Sequence, residues 1–135
     1  MNGDAGEYRL VLYVSPSGRR PVQEFLDSLD RDDPDALFEF DDQVAPLVRQ
    51  RGAALGMPHF RALRPTRFSE IRWHGKHGAQ CRIYCTIETG RRVLLLHGVT
   101  KRWPKFARND IQICKQRYHH YCSPDYDPSI PPHHA

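Results

Sequence analysis

The run Arg92–Val99 (RVLLLHGV) constrains this chain more than any other segment. Its consecutive apolar residues make a strand that is apolar on both faces, and such a strand belongs in the middle of a sheet. Two runs ahead of it alternate instead. Phe68–Trp73 (FSEIRW) places Glu70 and Arg72 on one face and Ile71 and Trp73 on the other. Ala79–Glu88 (AQCRIYCTIE) places Gln80, Arg82 and Tyr84 opposite Cys81, Ile83 and Cys85. The glycine-bracketed turn His74–Gly78 and the turn Thr89–Arg91 join the three runs into an antiparallel meander. One face of that meander is apolar and suits helices; the other bears arginines and suits a reactive groove.

The flanking segments complete an α+β plan. Tyr8–Ser15 is rich in β-branched and aromatic residues and reads as a strand, broken by Pro16, Ser17 and Gly18. Pro21 opens a short helix to Leu29, with Val22, Phe25, Leu26 and Leu29 on one side. Asp33 followed by Pro34 is a cap and first-turn pair for a second helix reaching about Gln50. Pro46 should kink that helix or end it early, and Gly52 is a stop. Residues 53–67 read as a loop carrying His59, Arg61, Arg64 and Arg67, and a last helix spans roughly Ala107–Tyr121. The expected order is strand, helix, helix, three antiparallel strands, C-terminal helix, with the helices on one face of a curved antiparallel sheet. The expected limits are a disordered start at 1–7, one domain over 8–122, and a disordered proline-rich tail at 123–135.

Charge is segregated along the chain. Residues 1–45 hold 4 Lys+Arg against 11 Asp+Glu, a net of −7, and residues 46–135 hold 16 against 5, a net of +11. A basic half interleaved with aromatics points to a polyanion, with nucleic acid favoured over a merely solvated surface. No apolar run approaches a membrane span, and the polar start lacks the basic-then-apolar pattern of a signal peptide, so the expected location is the cytoplasm. Cys81, Cys85, Cys114 and Cys122 are then expected to be reduced and mostly buried, and no cofactor or metal is expected. A zinc site using three of these cysteines and a histidine is a weaker alternative, because no CxxC or HxxxH-type spacing occurs.

Four landmarks in this order resemble the RelE/ParE toxin superfamily, and among its branches the phage-derived HigB-like toxins. They are PVQEFLDSL at 21–29, LGMPHFRAL at 55–63, FSEIRWHGKHGAQCRIYC at 68–85 and RRVLLLHGVTKRWPK at 91–105. The resemblance implies an endoribonuclease that cuts messenger RNA in the ribosomal A site, neutralised by a HigA-like helix-turn-helix antitoxin. Such cleavage needs a base for the ribose 2′-hydroxyl, cations for the phosphate and an acid for the leaving oxygen. Arg82 matches the family's phosphate-contacting arginine. Arg72 is a second contact, and Lys101 with Arg102 matches a basic pair near the phosphate. Glu70 and His97 are both candidates for the base, and the choice between them stays open. Lys76, Trp103, Lys105 and Tyr84 are candidate RNA contacts, with Trp103 a stacking surface. Each has an ordinary alternative: Arg82 in a salt bridge to Glu70, His97 as a hydrogen-bonded sheet histidine, Lys101 and Arg102 as a solvated basic loop.

Two other functions share the fold. A ParE-like toxin acting on DNA gyrase would not need the cluster Arg72, Arg82 and Lys101. A degenerate toxin would keep only binding to its antitoxin or to nucleic acid.

Overall fold

The computed structural model describes residues 6–101 and 108–132. Its strands are β1 (Arg9–Leu12), β2 (Phe60–Ala62), β3 (Ser69–His74), β4 (Gln80–Glu88) and β5 (Arg92–Lys101). Its α-helices are α1 (Pro21–Asp32), α2 (Pro34–Glu39), α3 (Ala45–Arg51) and α4 (Arg108–Tyr121). The strands form one sheet in the order β1-β5-β4-β3-β2, so β5 is interior, as its unbroken apolar run requires. The three meander strands pair antiparallel as read from the sequence. The edge strand β1 runs parallel to β5, which makes the sheet mixed rather than wholly antiparallel. β2, read as loop, is a second addition: Phe60–Ala62 pairs with Ile71–Ser69. Three residues between Pro58 and Pro65 are too few for alternation to stand out.

Asp33 caps α2 by accepting from the Ala36 amide at 3.4 Å, and its other carboxylate oxygen accepts from the Lys76 amide at 2.8 Å. Pro46 does not end the helix. A π-turn over Phe40–Val44 absorbs the missing donor and lets α3 continue to Gly52, whose φ is +54°.

Helices pack on both faces of the sheet. α1, α2 and α3 cover one face, where Val22, Leu29, Phe40, Val44 and Val48 meet Ile71, Trp73, Ile83, Cys85, Val93 and Leu95. Trp73 donates its indole N–H to the Ala36 carbonyl at 2.9 Å, satisfying the one polar atom it buries. A Cβ on Gly98 would come within 2.4 Å of Phe25, so glycine lets α1 lie directly on β5. The single-face expectation departs at α4, which lies across the opposite face. There Cys114 joins Tyr13, Phe68, Tyr84, Leu94 and Leu96 in a second apolar cluster.

The expected disordered tail also departs from the structure, because residues 123–132 pack back on the domain. Tyr126 accepts the Val14 amide N–H at 3.1 Å and sits against Tyr13 and Tyr121, and the Arg20 side chain donates to the Pro128 and Ile130 carbonyls. The one aromatic residue of this proline-rich segment, Tyr126, together with the Arg20 hydrogen bonds, holds it in place.

Candidate functional site

The face of the sheet under α4 gathers the charged side chains. Alternation places Glu70 and Arg72 of β3 beside Tyr84 and Arg82 of β4, and β2 adds Arg61 opposite Glu70. Glu70 is fully buried at the centre. Its oxygens lie 3.1 Å from Arg61 Nη2, 3.6 Å from Arg72 Nε and 3.7 Å from Arg82 Nη1. Neither Glu70 oxygen, and neither Nε of Arg72 or Arg82, makes a hydrogen bond among the described residues. Charge holds the cluster, and buried polar atoms left this way mark a place where the fold carries a cost.

Arg72 and Arg82 are direct cross-strand partners. Like charges in that register repel. Two groups hold them together: the Glu70 carboxylate, and the Gln80 side-chain oxygen, which accepts from Arg72 at 2.9 Å and from Arg82 at 3.1 Å. Both side chains are mostly covered, 15% and 12% exposed, while Arg61 is 47% exposed. The result is a pair of adjacent, mostly covered guanidiniums, a geometry whose planar donors suit carboxylate and phosphate oxygens.

β5 delivers the other half of the site through an irregularity. Tyr84 pairs with His97 but Cys85 pairs with Leu95, so Leu96 is an extra residue, a β-bulge. Upstream of it, Val93 and Leu95 face the helical hairpin that α1 makes with α2 and α3. Strict alternation would send His97 and Lys101 to that same apolar face. The bulge inverts the parity and places His97, Val99 and Lys101 opposite Tyr84, Arg82 and Gln80, on the charged face. Arg117 of α4 donates to the Leu96 carbonyl at 2.7 Å, tying the helix to the bulge.

Asp110, in the first turn of α4, ties these residues together. It receives Lys101 Nζ at 2.6 Å on one oxygen and His97 Nε2 at 2.9 Å on the other, and the Tyr84 hydroxyl donates to it at 3.4 Å. Burial pushes its carboxyl up, but the hydrogen bonds from Lys101 and His97 outweigh burial and the net direction is down, so it is ionised. Burial pushes the His97 imidazole below its usual value, with Asp110 only partly opposing it. A neutral His97 donating from Nε2 to Asp110 presents its Nδ1 lone pair to Arg117 Nη1, 3.4 Å away. Burial, with the nearby Asp110 charge, pushes the Tyr84 phenol up to about 12, so it stays a donor.

The structure therefore brings together Glu70, Arg72, Arg82, His97 and Lys101 on one face. It turns others elsewhere. Lys76 donates from its amine to the Asp32 carbonyl at 2.5 Å, at the end of α1 and away from the arginines. Tyr84 is on the right face but fully buried, stacked on His97 at 5.8 Å, so it supports the site from beneath and offers no open ring. Arg102, Trp103 and Lys105 lie outside the described residues. Asp110, Arg117, Arg61 and Gln80 are members that the sequence reading passed over. Only Gln80 carried a signal, its place on the Arg82 face of β4.

Cys81, Cys85 and Cys114 are buried free thiols, pushed up in pKa by burial, and Cys122 is exposed. Among the described residues no group of three His, Cys, Asp or Glu side chains is placed to hold a metal ion. Among the described residues no helix is long and apolar enough to cross a membrane.

Residues 24–119 match the model of the family described as phage derived protein Gp49-like (DUF891). The matched span runs from α1 through nearly all of α4 and includes every charged residue of the site. A comparison with curated proteins finds no match.

Proposed function

We propose that this chain, which belongs to the Gp49-like family of toxin-like proteins of the RelE/HigB type, is a toxin that cleaves messenger RNA on the ribosome without a metal cofactor and is neutralised by a HigA-like helix-turn-helix antitoxin. One observation carries the reading: Arg72 and Arg82 stand directly opposite each other over a buried carboxylate. Holding two like charges in register costs stability, and an incoming phosphate recovers it.

In the proposed reaction the ribose 2′-hydroxyl oxygen attacks the adjacent phosphorus and passes its proton to a solvent water as the bond forms. The bond from phosphorus to the 5′ oxygen breaks, that oxygen takes a proton back from solvent, and a 2′,3′-cyclic phosphate remains. Arg82 and Arg72 stabilise the charge on the non-bridging oxygens, and Lys101, carried to the same face by the bulge, adds a third cation. Glu70 is covered by its arginines and His97 has both ring nitrogens engaged, so in this arrangement both residues position cations. The 2′-hydroxyl requirement makes RNA the substrate and spares DNA.

Expression of the parent in growing cells is expected to arrest growth, with messages cut to cyclic-phosphate ends. Arg82→Ala should relieve the arrest and slow cleavage by about 100-fold or more, the usual cost of removing one transition-state charge contact. Intact messages together with stalled replication would instead identify a gyrase-directed toxin. A harmless parent would identify a binding module.

A further inference from the structure

We infer that this chain self-associates head to tail, the acidic ridge around Phe38 of one copy seating in a basic, apolar-floored groove beside α4 of the next. The groove lies between α4 and residues 63–68. It comprises two adjoining cavities of about 650 and 490 Å³ that share Thr66 and Lys115. Leu63, Phe68, Ile111 and Tyr118 supply its apolar floor, and Arg64, Arg67 and Lys115 its rim. Among the described residues no Asp or Glu lines either cavity. Arg67 is held over the Tyr118 ring at 4.2 Å, which fixes one rim charge in place.

The complement is on the other side of the same molecule. Phe38 of α2 is 66% exposed, one of two large exposed apolar side chains among the described residues. A lone exposed phenylalanine is ordinary. This one is ringed by carboxylates: Asp35 one turn before it, and Asp41 and Asp42 one turn after, all exposed. An aromatic knob with an acidic collar matches an apolar hole with a basic rim in shape class, polarity and sign of charge. The segregation of the sequence into a −7 first third and a +11 remainder is the same complementarity at chain level.

Geometry also fixes the kind of assembly. The ridge belongs to the helical hairpin and the groove to the α4 side, so they sit on opposite faces of the sheet. A two-fold dimer cannot engage both contacts at once, and the association continues from copy to copy.

Sedimentation of the full chain tests this, with Phe38→Asp removing the knob and Lys115→Glu reversing the rim. Both positions are exposed, and thermal melts confirm the folding of each variant. The parent mass should climb with concentration past that of two chains and fall back toward 15.7 kDa as salt rises from 0.1 to 1 M. Each variant alone should remain at one chain. An equimolar mixture should stop at two, because the intact ridge of Lys115→Glu fits the intact groove of Phe38→Asp and both free ends are then dead. A parent that stays monomeric, a dimer indifferent to either change, or a mixture that fails to pair overturns the inference. So does an oligouridylate probe whose binding Lys115→Glu abolishes while the mass never changes, which would assign the groove to nucleic acid.

Discussion

The two faces of the sheet are made by the same strands and are held together by different physics. On the hairpin face, Ile71, Trp73, Ile83 and Val93 meet the apolar sides of α1, α2 and α3, and close packing stabilises the fold. On the α4 face, a few residues away on the same strands, Glu70 and Asp110 hold Arg61, Arg72, Arg82, Lys101 and His97. Desolvating such groups recovers little net stability. The first face stabilises the fold by packing alone; the second sets a smaller apolar cluster, Cys114 with Tyr13, Phe68, Tyr84, Leu94 and Leu96, beside cations whose proximity draws on that stability.

The largest loss of stability is expected at Trp73. Trp73→Ala should lower unfolding free energy by about 4 kcal/mol, as large-to-small changes in a packed core do. Urea unfolding measures it, and a loss under 1 kcal/mol would mean that packing on the hairpin face contributes little. Glu70→Gln comes next. It leaves three arginines around a neutral group and should cost about 3 kcal/mol, the usual penalty for breaking a buried charge pair. Adding sulfate should restore part of that loss for Glu70→Gln and little for the parent. Equal sulfate responses would show that the guanidiniums do not form an anion site.

The smallest effect concerns pH. His97 has a folded pKa below its unfolded value of about 6.5. Its contribution to stability is therefore complete above that value and is lost as pH falls from about 6.5 toward the folded pKa. His97→Gln should flatten this limb of the stability profile, with any change at lower pH confined to the titration of its partner Asp110. An unchanged limb would show that the imidazole is not held neutral.

How much of this was readable from the residues depended on whether spacing alone decided the outcome. Period-two alternation placed Glu70 with Arg72 and Arg82 with Tyr84, and the apolar run at Val93–Leu96 placed β5 inside the sheet. Alternation failed downstream of Leu96, because a bulge is one extra residue and leaves no mark in composition. Asp110 and Arg117 reach the site from a helix that follows in sequence, and which face that helix covers is a tertiary matter. The tail was misread because its prolines outweighed Tyr126, whose partners Tyr13 and Tyr121 are distant or local only once the chain has folded.

The extra residue at Leu96 works like a shift of reading frame within a single strand. Before it, odd-numbered positions spell the core; after it, odd-numbered positions spell the site. A one-residue deletion there would leave His97 and Lys101 intact and put both on the wrong side of the sheet, away from Arg72 and Arg82. The charged face of this sheet is thus written in a phase as well as in an alphabet, and comparison of such chains by identity of residues alone will miss variants that have kept the letters and lost the phase.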